Sequence, residues 1–180
     1  MVPGNFDFQQ FQTTLLEEAR VGFPGIQQQH RGETFYCFAL YTYGERAYIF
    51  PTASTEEGLT QVARKYMAKD YNQGRTLDQL RRELRWSPCD SPLHSEGGSY
   101  CQRANEQLEP VPELLQALYD REHDSWEQSD KLIEQLDSIF LDVLKQLDAE
   151  GVFGRGEHRA SVVVNLLMGD QSDESRLAYA

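Results

Sequence analysis

The chain has 180 residues, 39% hydrophobic and 11% aromatic, with 17 basic and 29 acidic side chains and a formal net charge of −12. That length suits one domain with a real core, and the aromatic content excludes a disordered chain. The charge disfavours direct contact with nucleic acid, whose phosphates it would repel, and no apolar run approaches the roughly 20 residues that span a bilayer.

The opening MVPGNFDFQQ has neither a basic start nor a long apolar run, so no secretory signal and a cytoplasmic location are expected. Residues 7–20 read as an amphipathic helix with Phe8, Phe11, Leu15, Leu16 and Ala19 on one stripe, which Gly22–Gly25 (GFPG) is expected to break. Residues 34–54 are rich in aromatic and β-branched side chains and read as two strands, a hairpin over 35–53. Gly44-Glu45 fits a two-residue turn with positive φ at the glycine. The first strand is apolar on both alternating sets, as in a strand covered on both faces. Pro51 should end the second strand or lie on an edge.

Ser54 and Glu57 have capping-box spacing for the next helix, and Thr76 and Gln79 repeat it for a short helix ending near Trp86. Residues 64–85 hold seven Lys/Arg and three Asp/Glu, so this stretch is locally basic. Residues 87–100 contain two prolines, two glycines and four serines and read as a long loop, a kind that is often functional or mobile. Two helices follow, over about 110–122 with Pro112 in the first turn and about 126–150. The second has a wide apolar stripe from Trp126 through Leu132, Leu136, Phe140 and Leu144 to Leu147, expected to pack on a sheet, and Gly151 as its stop. Residues 151–159 read as a loop and 160–168 as a strand. The fold expected is α+β, a small mainly antiparallel sheet packed with several helices.

Residues 105–150 hold 13 Asp/Glu against three Lys/Arg. Such a surface steers basic partners, and Glu127, Asp130 and Glu134 are its exposed-face candidates. Gly154-Arg155-Gly156 resembles a phosphate loop, but it follows a helix and opens a strand, the reverse of the required context. Arg155 and Arg159 remain candidates for an anion or an acidic partner group. Cys89, His94 and Cys101 lack the paired spacing of zinc sites, and three cysteines argue against a disulfide framework. The four histidines have no metal-site spacing, and no serine elbow is present. No catalytic residue, metal or cofactor is assigned.

In Gly169-Asp170-Gln171-Ser172-Asp173-Glu174 a strand gives way to carboxylates and hydroxyls. Asp170 or Ser172 can cap a following turn, with Asp173 and Glu174 favoured by its dipole. The sharper alternative is a carboxylate site of a small-molecule or nucleotide-binding enzyme.

Phe38–Thr42 (FALYT) together with Leu167–Leu177 (LMGDQSDESRL) resembles a bacterial family of uncharacterised proteins marked by F-A-L-Y and G-D-Q-S signatures. Ala47–Leu59, Leu84–His94 and Gly151–Arg159 share the resemblance, which makes Tyr41, Trp86 and Gly169 motif residues alongside Asp170 to Glu174. The resemblance implies a binding protein of toxin-immunity type and brings no catalytic residues with it; the acidity of residues 105–150 makes a basic protein the expected partner. Family members are expected to continue a turn or more past Ala180.

Overall fold

The computed structural model describes residues 6–69, 74–119 and 125–169. In chain order these form α1 (Phe8–Gln29), β1 (Phe35–Thr42), β2 (Ile49–Thr55), α2 (Glu56–Met67), α3 (Leu77–Leu84), α4 (Gln102–Leu108), α5 (Val111–Tyr119), α6 (Ser125–Glu150), a single turn α7 (Gly156–Ala160) and β3 (Val163–Met168). The fold is α+β, as the pattern predicts. The sheet itself is mixed, with order β2-β1-β3: β1 pairs antiparallel with β2 and parallel with β3. A parallel pair needs a long crossover, and the chain from α2 to α7 supplies it. Nothing local in Val163–Met168 marks that direction.

β1 lies in the middle and is buried from Tyr36 to Thr42, so it is covered on both faces as expected. A bulge between Phe35 and Cys37 places Tyr36 and Cys37 on one side together. The larger cluster, on the other side, is built from α1, α4, α5 and α6 with Phe11, Phe23, Phe38, Phe140 and Phe153 fully buried. The smaller holds Tyr36, Cys37, Ala39, Tyr41, Leu59 and Leu167, flanked by Tyr48, Phe50, Leu84 and Trp86. The α6 stripe lies in the larger cluster, against α1 and α5 as well as the sheet. α6 ends in a Schellman motif: Gly151 at φ +84° donates to Asp148 O, and Val152 donates to Leu147 O.

Several local expectations give way to tertiary contacts. α1 does not stop at the Gly-Pro run but carries Pro24 inside it to Gln29. Gly22, Phe23 and Ile26 are buried there, and that burial offsets the hydrogen bond Pro24 cannot make to Arg20. A Cβ on Gly22 would lie 2.8 Å from Pro51 Cγ, so the glycine lets the helix sit on β2. The β1–β2 connection spans residues 43–48 rather than a two-residue turn, and the positive φ belongs to Arg46 (+54°), not Gly44. Buried Arg46 makes two bonds to the Asp137 carboxylate of α6, at 2.8 and 2.6 Å, and this anchor holds the residue in a conformation that non-glycine residues disfavour. Thr55, not Ser54, caps α2 by accepting from Gly58 N, while Glu57 reaches back to Thr34 N at 2.8 Å. The Thr76–Gln79 capping box forms as expected.

The 87–100 loop has a structural task. β2 is an edge strand, and this segment closes its outer side with turns at Pro88–Asp90 and Glu96–Ser99. Ser91 Oγ donates to Ala53 O at 2.8 Å, and Ile49 N donates to Asn105 Oδ1 at 2.7 Å. Pro51 lies between them on the same outward register and has no N–H to leave bare. Its carbonyl is pressed so closely by Gly97 that no Cβ fits. The edge is thus protected from pairing with another chain.

Candidate functional site

Two regions hold the residues that the sequence singles out. The first is the outward side of α6. Glu127, Asp130 and Glu134 are exposed there. Glu127 pairs with Lys131 one turn on at 2.6 Å, and Asp142 pairs with Lys145. Further along, Asp137 is taken by Arg46, Asp148 by Arg159 and Glu150 by Arg20. Much of the acidity of α6 is therefore matched within the fold, whereas Asp130 and Glu134, one helical turn apart, form no ion pair among the described residues. Arg159 clasps Asp148 with bonds of 2.6 and 2.8 Å and donates to Val162 O, which ties β3 to the end of α6. Arg155 donates to Glu150 O and lies against Gly151. Both arginines thus help close the α6–β3 connection. The expected loop at 151–159 includes the α7 turn, so Gly154-Arg155-Gly156 opens a single helical turn, with Gly154 at φ +101° and Gly156 at φ +58°.

The second region is the smaller-cluster face of the sheet, where segments that carry the sequence resemblance meet. Tyr41 is buried near the carboxyl end of β1. Its Oη lies 3.4 Å from Cys89 Sγ, and its ring meets the His94 ring edge-on at 4.4 Å. Gly169, just beyond β3, abuts the Tyr41 hydroxyl closely enough that a Cβ would collide with it. Phe50 adds a second ring to His94 at 5.4 Å. Trp86, half-buried, stands edge-on to Tyr36 at 5.8 Å. The Arg85 guanidinium lies over Tyr36 at 4.0 Å and over Trp86 at 5.5 Å while bonding Glu56. The chain between follows this face: Ser87 Oγ and Tyr66 Oη both donate to the Asp90 carboxylate, at 2.6 and 2.7 Å.

Burial sets the electrostatics of this region. It raises Tyr36 and Cys37 to about 12. It also raises Tyr41, helped by the neighbouring Cys89. The same desolvation lowers His94, so its imidazole is neutral at pH 7, and its Nδ1 is buried without a hydrogen-bond partner among the described residues. Arg85 first, and then Arg81, hold the Glu56 carboxyl below its ordinary value. Cys89 is exposed, whereas Cys101 is fully buried in the larger cluster, raised to about 12. Cys89, His94 and Cys101 therefore do not converge. Among the described residues no group of three or more His, Cys, Asp or Glu is placed to hold a metal. Asp170, Gln171, Ser172, Asp173 and Glu174 lie outside the described residues.

One constellation escaped the sequence reading. His30, which caps the C-terminus of α1, is bonded through Nδ1 to Glu33 at 2.9 Å and through Nε2 to Glu96 at 2.7 Å. The His30–Glu33 spacing was visible, but Glu96 comes from the far side of the chain, inside the loop that closes β2.

Among the described residues no helix is long and apolar enough to cross a membrane. No curated protein and no solved structure matches the chain. The sequence from residue 15 to residue 179 does match one family model, a domain of unknown function, and with nearly its whole length inside that match the chain belongs to the DUF4303 family.

Proposed function

We propose that the chain acts by binding a basic protein partner, in the manner of an immunity protein occluding a toxin, through the outward side of α6. One observation carries this reading: Asp130 and Glu134 stand exposed and form no ion pair among the described residues, on a helix whose other carboxylates, at Glu127, Asp137, Asp142, Asp148 and Glu150, are matched by the fold itself. Charge left unmatched on a rigid helix steers a partner of opposite sign and governs the rate of encounter more than the strength of the complex. The chain's net charge of −12 works in the same direction.

The test is affinity capture from a lysate of its own cells at low and at moderate salt, with the wild type and with Asp130→Lys/Glu134→Lys in parallel. A basic protein retained by the wild type, lost as salt rises and bound with a slower, less salt-dependent on-rate by the variant, supports the reading. Equal binding by the variant removes α6 from it. The second reading is a small-molecule or nucleotide-binding enzyme. It draws on the meeting of Tyr41, Cys89 and Gly169 at the carboxyl ends of the parallel β1–β3 pair, the end of an α/β sheet where ligands bind. A bait that retains nothing, combined with a nucleotide or divalent metal that shields Cys89 from alkylation, would move the function there.

A further inference from the structure

His30 is placed where three segments meet. It closes α1, with its backbone N–H donating to Ile26 O. Glu33 belongs to the turn that leads into β1, and its second oxygen accepts from Thr55 Oγ1, the cap of α2. Glu96 opens the Glu96–Ser99 turn, whose Gly97 presses on the Pro51 carbonyl at the edge of β2. One imidazole thus joins α1, the entry to α2 and the segment that covers the sheet edge.

The geometry requires a proton count. Both ring nitrogens face carboxylate oxygens, and only the imidazolium can donate from both at once. A neutral ring has one lone pair, which would point at a carboxylate. The C-terminal end of α1 also favours a cation at this position.

We propose that His30 is a proton-operated latch: charged, it holds the Glu96–Ser99 turn onto the edge of β2, and neutral, it lets that turn go. The groups around it are consistent in sign. Glu33 and Glu96 touch the ring, and Glu57 of α2 stands behind Glu33, bonded to Thr34. Arg31 and His158 border the same groove with Gln27, but among the described residues no ion pair joins either of them to these carboxylates. The bonds to Glu33 and Glu96 outweigh the half-burial of the ring, so His30 is raised above its ordinary value and Glu33 is lowered. A raised histidine contributes stability that is complete below its unfolded value, about 6.5, and that is lost as pH rises through the folded value. The latch therefore opens on the alkaline side. Release bares the outer edge of β2 at the Pro51 carbonyl, on which Gly97 presses, and loosens the loop bearing Cys89 and His94. This device is independent of the partner proposed for α6.

The test uses the intact chain. Proton NMR of the imidazole follows the His30 midpoint, while amide hydrogen exchange of residues 88–100 is followed across the same pH range, corrected for intrinsic chemistry with α6 peptides as reference. Opening of 88–100 is expected to rise ~10-fold through the His30 midpoint, the scale of one charge-assisted hydrogen bond lost from a half-buried site. Glu96→Gln, which keeps a polar partner without the charge, should flatten that step and leave α6 unchanged. A His30 midpoint at the ordinary histidine value overturns the latch, and so does flat protection of 88–100 in the wild type through the midpoint.

Discussion

The two faces of the sheet are held by different physics. On one side α1, α4, α5 and α6 bury phenylalanines, aliphatic side chains and Cys101, with the Arg46–Asp137 pair at its margin. On the other, α2, α3 and the 87–94 segment cover a smaller patch where rings alternate with Cys37, Tyr41, Cys89, Asp90, His94 and the Glu56–Arg85 pair. The first face follows buried area, at about 25 cal/mol per Å². The second depends on where protons sit, since burying a polar group costs free energy unless a partner meets it. Tyr41, Trp86, His94 and Gly169 converge on the second face.

The strongest way to break this contrast is Phe38→Ala. Phe38 is fully buried and packs against Phe23, Phe35 and Phe153, so the change should cost about 3–5 kcal/mol in urea unfolding. Tyr41→Phe, which removes only a hydroxyl from the opposite face, should cost about 1 kcal/mol. Equal losses would mean that the faces do not differ in kind.

A somewhat smaller loss is expected from Asp137→Asn. It leaves the guanidinium of Arg46, 7% exposed, without its charge partner, at a cost of about 3 kcal/mol. Because Arg46 also holds φ at +54°, Arg46→Gly with Asp137→Asn should recover part of that loss by relieving both the orphan charge and the strained backbone. Thermal unfolding of the single and double variants measures it.

The smallest effect sharpens the comparison by pH. Glu56 is held below its ordinary value by Arg85 and Arg81, so its contribution is present above the unfolded carboxylate value and is lost as pH falls through the folded one. The side chains are about a third exposed, 30% for Glu56 and 31% for Arg85, which limits the contribution to about 1 kcal/mol. Glu56→Gln should be less stable than the wild type by that amount at pH 7. The gap should close in acid, below the folded carboxyl value. A gap that persists there would assign the loss to packing of Arg85 on Tyr36 rather than to charge.

Local order was legible where the physics is local. Thr76 and Gln79 cap α3 because both bonds close within four residues, and Gly151 ends α6 because its left-handed backbone belongs to the last turn itself. Ser54 and Glu57 had the same spacing, but Thr55 made the cap once Glu57 was drawn to Thr34. The acidity of residues 105–150 could be counted, but not how much of it the fold would neutralise. Arg46, Arg159 and Arg20 come from other parts of the chain to meet Asp137, Asp148 and Glu150.

By itself the sequence determined the α+β class, the double covering of β1 and the apolar stripe of α6, because periodicity and composition register which surfaces must leave water. Only the tertiary structure decided that β3 runs parallel to β1, that α1 continues through Pro24, that the 87–100 loop seals β2, and that His30 lies between Glu33 and Glu96. Each of these is fixed by contacts between residues far apart in the chain, whose free energy outweighs local preference and leaves no periodic trace in the sequence.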